Sequence, residues 1–218
     1  MKVINLFITH LPTFLNALLV TVEVTVASLI IGTVLGIIFA LFKLSKIKPL
    51  QWIANIYISI IRGTPLLVQI LFIYFGIPMV LGFTWNLMTA GIVIMSINAG
   101  AYMTELIRGG IESVDKGQVE AARSLGLSYS QAMAKVIMPQ AMRTMLPSII
   151  NQFIVTLKDT SLLSVIGLRE LTQNTKIIVA NNMEAFTMYF IVAVYYWVIV
   201  NILTLIANRI EKRTSYGK

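Results

Sequence analysis

Apolar residues fall in five long stretches, separated by short clusters of Lys, Arg, Gly, Pro and Asn. The stretches run over 16–42, 50–81, 87–107, 144–166 and 185–207. About 20 apolar residues suffice for a helix to cross the hydrocarbon core of a bilayer. Backbone facing lipid must satisfy its own hydrogen bonds, so these stretches have to be helices. The pattern predicts an all-α membrane protein, a single transmembrane domain over 1–218 with five spans. The second stretch is too long for one straight crossing, since at 1.5 Å per residue it would reach about 48 Å against a core of about 30 Å. Gly63-Thr64-Pro65 offers the break, because proline lacks an N–H and disfavours helix in the residue before it. A surface-lying or tilted half is expected from Leu50, then a crossing from Pro65.

Composition agrees: 57% of the 218 residues are hydrophobic and the mean hydropathy is +0.84, which leaves no room for a large soluble domain beside the spans. The net charge of +8 is mostly topology. With the N-terminus outside, 13 of the 17 lysines and arginines fall on the inner side. They are Lys43, Lys46, Lys48 and Arg62; Arg108, Lys116, Arg123, Lys135 and Arg143; and Arg209, Lys212, Arg213 and Lys218. Lys2, Arg169 and Lys176 fall outside, and Lys158 lies within a span. The positive-inside rule then sets the N-terminus outside and the C-terminus in the cytoplasm. Basic residues dispersed among membrane ends are not a nucleic-acid footprint. The first apolar run is too long for the core of a signal peptide, so none is expected. The absence of cysteine excludes disulfides and thiolate sites, and a lone histidine, His10, argues against a metal site in the chain.

That orientation places 108–138 in the cytoplasm. Two membrane helices can be reconnected by a few residues; here about thirty leave the membrane and return. Asp115 and Gln118 have capping-box spacing, and Ser128 and Gln131 repeat it. Gly126 between them suits the left-handed residue that ends a helix. The expectation is helix, glycine break, helix, the second running to Pro139, a residue tolerated at a helix start rather than an interior. Ala121 and Ala122 permit close approach of a partner. The segment reads either as a docking surface or as an ordinary polar loop that is helical.

Polar groups inside spans usually face protein or a cavity. Asn98, Tyr102 and Glu105 stand at i, i+4, i+7 and share a face of the third span, Asn98 near mid-bilayer; Gln152, Thr156 and Asp159 repeat the spacing on the fourth. Two such faces at similar depth suit a hydrophilic chamber for substrate or, alternatively, interhelical hydrogen bonds that hold the bundle together. Glu105 also has the spacing of a local ion pair with Arg108. Asp159 is harder to hide than Lys158, which can snorkel outward, so the carboxylate is the better ligand. Gly32 and Gly36 have the spacing of a close helix–helix contact. Between Gly167 and Asn182 the outer loop has mixed charge and suits an amphipathic surface helix on which an external partner could land.

Glu120-Ala121-Ala122, Gly126 and Pro139 resemble the cytoplasmic loop of permease subunits in bacterial ATP-binding-cassette importers. That pattern is EAA, three residues, Gly, nine residues, Ile, one residue, Leu-Pro; here Val136 and Met138 replace Ile and Leu conservatively. Arg62-Gly-Thr-Pro-Leu-Leu-Val-Gln69, Ala101-Tyr-Met-Thr-Glu-Leu-Ile-Arg-Gly-Gly110 and Leu157-Lys-Asp-Thr-Ser-Leu162 look like the polar-amino-acid branch, the histidine, glutamine and arginine permeases. The resemblance covers nearly the whole chain. It implies a five-helix permease core with a cytoplasmic coupling helix, in the bacterial cytoplasmic membrane, paired with an identical or different second permease subunit. It implies that Glu120, Ala121, Ala122, Arg123 and Gly126 dock two cytoplasmic ATP-binding subunits, and that an external binding protein delivers the amino acid. ATP and Mg would be bound by those subunits, leaving this chain no cofactor and no catalysis of its own. Nothing in the sequence resembles a glycine-rich phosphate loop.

A chamber of net negative character would favour a cationic amino acid. Asp159 paired with Lys158 or with the partner subunit would instead leave a neutral site that suits glutamine. The alternative to an ATP-driven importer is a secondary amino-acid carrier working without ATPase subunits; such carriers are usually longer and carry repeats, and none is visible here. An intramembrane enzyme would have only Glu105 and Asp159 at hand, at different depths.

Overall fold

The computed structural model describes residues 2–215, with side chains from 3 to 210. Lys218 lies outside the described residues, as do the side chains of Lys2, Lys212 and Arg213. The described helices are α1 (Lys2–Leu44), α2 (Lys48–Gly63), α3 (Leu66–Leu81), α4 (Leu87–Glu112), α5 (Lys116–Ser124), α6 (Tyr129–Ile166), α7 (Leu171–Asn182) and α8 (Ala185–Ser215). Among the described residues, α1, α4, α6 and α8 are each long and apolar enough to cross a membrane. The pair α2 and α3, bent by 107°, makes a fifth span.

Helix α1 begins well before residue 16, where the apolar run starts. Asn5, Thr9, His10 and Pro12 dilute its first turns, but packing carries the helix through them. Phe14 and Ala17 lie against Leu171, Met188 and Ile191, and Tyr195 stacks on Phe7 and Phe14 with centroids 5.7 and 5.0 Å apart. Tertiary burial of one face outweighs weak local preference.

The closest helix contact is made where the small residues stand. A Cβ added at Gly32 would lie 3.0 Å from Ala99 Cβ, and one at Gly36 would lie 2.5 Å from Met103 Cβ. Backbones of α1 and α4 therefore touch along this line, and a larger residue there would force them apart. Hydroxyls stitch the same layer: Ser28 donates to the Ile92 carbonyl at 3.2 Å and Tyr57 to that of Ile97 at 2.6 Å. Toward one end, Val24, Ile70, Ile94, Leu163 and Leu168 form an apolar core; toward the other, Ala40, Ile107, Ala141 and Met145 form a second.

Helices α3 and α6 each contain one widened π turn, over Phe72–Gly76 and Met133–Ile137. Each turn is followed closely by a proline, Pro78 or Pro139. The widened turn, in which Met138 N donates to Met133 O, gives the ring room where a regular turn would clash. Pro139 therefore does not begin a helix, as the sequence led us to expect, but lies inside one. The second helix of the cytoplasmic loop and the fourth span are a single body, α6, starting at Tyr129 rather than near 144.

Candidate functional site: the cytoplasmic loop and the polar face of α4

Each turn of the loop over 108–138 is fixed by a neighbour in sequence. The Asp115 carboxylate accepts from Gly117 N at 2.7 Å and starts α5. At its end Gly126 has φ +85°, its N–H donates to Arg123 O at 3.0 Å, and Leu127 N donates to Ala122 O at 3.2 Å. This is a Schellman closure, which needs the left-handed residue that glycine supplies. Ser128 and Gln131 complete a reciprocal capping box: Gln131 N donates to Ser128 Oγ at 3.3 Å and Ser128 N to Gln131 Oε1 at 2.9 Å. The result presents Glu120, Ala121 and Arg123 outward. Ala122, at 4% exposure, faces inward where α5 meets the start of α6, so its small size serves packing within the chain. Leu125, 84% exposed beside Gly126, is an apolar tip that the motif does not mention.

On α4, Asn98, Tyr102 and Glu105 all look toward α1, α2 and α3. Asn98 Nδ2 donates to Gln69 Oε1 at 3.1 Å, and both residues are buried. The Arg62 guanidinium lies 5.4 Å from the centre of the exposed Tyr102 ring. Glu105 accepts from Lys43 Nζ at 2.5 Å and from Arg108 at 2.8 Å, with Arg62 at 3.8 Å; Arg108 also pairs with Glu112. Three cations on three helices thus converge on Glu105. Of the two readings of Glu105, the local ion pair with Arg108 is present, and its charge is further matched from α1 and α2.

On α6, Gln152 donates to Thr156 Oγ1 at 3.3 Å, and both are buried. Asp159 is half-buried and Lys158 is exposed on the neighbouring position. No hydrogen bond joins this set to Asn98 among the described residues. Between α4 and α6 the contact is apolar, made by Ala99, Met103, Leu106, Ile149 and Phe153. An apolar groove of about 610 Å³ between α1, α4, α6 and α8 contains none of the six polar residues.

Sequence reasoning missed two polar groups. Gln69 is one; its signal was a buried-span amide just after a proline break. Glu170 is the other: fully buried, it accepts from Thr172 N, Gln173 N and the Tyr196 hydroxyl, capping α7 and tying it to α8. Burial pushes its carboxyl above the usual carboxylate range despite those donors.

A bundle of broken and unbroken candidate spans with a capped, exposed helix at one end has the build of a multi-pass membrane protein. The chain belongs to the family described as binding-protein-dependent transport system inner membrane component, whose model matches residues 32–216. It is 38% identical over 206 residues to the arginine transport system permease protein ArtQ of Bacillus subtilis (strain 168), covering 94% of each chain. It is also 38% identical to a putative glutamine transport system permease protein GlnP of Rickettsia felis, covering 89% of each. A crystal structure of an amino acid ABC transporter with histidines matches at TM-score 0.91 and 42% identity, over 95% of this chain and 96% of that one.

Proposed function

We propose that this chain is the permease subunit of an ATP-driven importer of a polar amino acid, set in the bacterial cytoplasmic membrane with its N-terminus outside and C-terminus inside. The observation that carries the coupling is the build of the loop. Helix α5 exposes Glu120, Ala121 and Arg123, rests on Ala122, and joins α6 through the rigid turn at Gly126. Because α6 runs unbroken from that turn to Gln152, Thr156 and Asp159, a push on α5 reaches the polar set within one helix. Two cytoplasmic subunits, closing on ATP and Mg that they themselves bind, supply the push and rotate the spans between two states. The relatives' names, arginine and glutamine permeases, support an amino-acid cargo delivered by an external binding protein.

Substrate passes between this chain and a second permease subunit, along Asn98 and Tyr102 on α4 and Gln152, Thr156 and Asp159 on α6. With Glu105 matched, Asp159 is the carboxylate left to meet an ammonium or a cationic side chain. Asp159→Asn and Asn98→Ala are tested in proteoliposomes with ATPase subunits and binding protein present. Each is expected to lower uptake by about tenfold, on the order of one charge-assisted hydrogen bond. Assembled variants that both transport at the unmodified rate would remove these residues from the path. Uptake by this chain with no ATPase subunit would favour a secondary carrier instead.

A further inference from the structure

Pro65 interrupts the backbone ladder between α2 and α3. Its nitrogen carries no hydrogen, so the carbonyl of Ile61, four residues earlier, loses its helical donor. Val68 N turns to Pro65 O at 3.0 Å, which leaves Thr64 O without one as well. Backbone acceptors that lose a helical donor need another partner, and Ile61 is buried. The Gln69 side chain is that partner: Nε2 donates to Ile61 O at 2.7 Å, to Thr64 O at 3.0 Å and to Thr64 Oγ1 at 2.9 Å.

That service fixes a polarity. Carbonyl oxygens only accept, so the amide of Gln69 cannot be turned over. Its Oε1 must therefore face Asn98, and Asn98 must answer with Nδ2. Asn98 Oδ1 is left pointing away, with no partner among the described residues, and it is not sealed from solvent.

We propose that Gln69 is a positioning residue that makes Asn98 present a carbonyl oxygen to the translocation path, so that this point of the path selects a hydrogen-bond donor, the ammonium of a free amino acid. The inference rests on Asn98 lining the path. It predicts discrimination between an amino acid and its 2-hydroxy analogue, which lacks the ammonium.

The test uses the full assembled complex without binding protein, with arginine and glutamine as probes and their 2-hydroxy analogues as competitors. Gln69→Met removes both polar atoms and frees Asn98 to rotate. The ratio of affinities is expected to fall about tenfold, the loss of one oriented hydrogen bond. Gln69→Glu, kept neutral by burial against carbonyl oxygens, retains one hydrogen for Ile61 O and an oxygen for Asn98, so the ratio is expected to stay near that of the unmodified complex. An unchanged ratio in Gln69→Met overturns the proposal, as does a ratio lost equally in Gln69→Glu. If Gln69→Met does not assemble, Gln69→Glu alone decides, since a lost ratio there contradicts the relay. Amino-acid binding unaffected by Asn98→Ala removes Asn98 from the path, and the inference falls with it. Binding weakened by Asn98→Ala, with the ratio indifferent to Gln69→Met, overturns the relay alone.

Discussion

The 108–138 loop and the break at Pro65 are both helix–break–helix joints, and they are held differently. In the loop the answered backbone groups find their partners within a few residues, at Asp115, in the Gly126 turn and in the Ser128–Gln131 box. At the break the answer comes from a side chain on the next helix, Gln69, which is itself held by Asn98 on α4. Exposed caps need no further support, since what remains unpaired at a helix end can be hydrated. At the break the donor is still near in sequence, five residues from Thr64 and eight from Ile61, but its amide is buried and is held from α4 by Asn98.

The sharpest test compares a carboxylate tied across helices, Glu105, which pairs with the Arg62 that leads into the break, with one exposed on the loop, Glu120. Glu105→Ala leaves Lys43, Arg62 and Arg108 facing one another at a half-buried site, and thermal unfolding of the detergent-solubilised complex is expected to show a loss of about 2–3 kcal/mol after allowance for solvent screening. Glu120→Ala is exposed and is expected to change stability by less than about 0.5 kcal/mol while lowering uptake. Equal stability losses in the two would show that the regions are not held differently.

That contrast also explains what the sequence made legible. Asp115, Gly126, Ser128 and Gln131 were readable because each cap acts on residues two to five positions away. Gly63-Thr64-Pro65 was readable as a break for the same reason. Gln69 as the group that repairs it was not, because the Asn98 that holds its amide lies on α4, 29 positions away. The first turns of α1 were lost to polar dilution and recovered only by Phe14 and Ala17 packing on α7 and α8. Pro139 read as a helix start because the π turn that accommodates it has no local signature. For Glu105 the spacing allowed both a lining role and a local pair with Arg108; the pair is present, while Lys43 and Arg62, from α1 and α2, were not legible.

A local cap should behave as a local quantity. Ser128→Ala removes the acceptor for Gln131 N and is expected to lower stability by about 1 kcal/mol, with no change in amino-acid selectivity. A change in selectivity would show that the loop reaches the path through more than rigid coupling.

The smallest effect concerns pH. Glu170 is held above the usual carboxylate range by burial, so the folded chain favours its protonated form more than the unfolded chain does. Its contribution is therefore full below the unfolded pKa, about 4.3, and is lost as pH rises through the raised folded value. Melting curves across this range should fall with pH in the unmodified complex and be flatter in Glu170→Gln. Equal slopes would mean that Glu170 is already ionised when folded.

The central claim is that α5 and its Gly126 turn dock a cytoplasmic ATPase and pass its motion to α6. Affinity purification of the full chain from membranes, with the ATPase subunit counted per permease, tests it most directly. The unmodified chain is expected to retain the subunit with substrate-stimulated ATP hydrolysis. Gly126→Val, which forces a β-branched residue into φ +85°, is expected to reach the membrane at normal levels and lose it. A Gly126→Val complex with a full complement of ATPase subunit and normal hydrolysis would contradict the account.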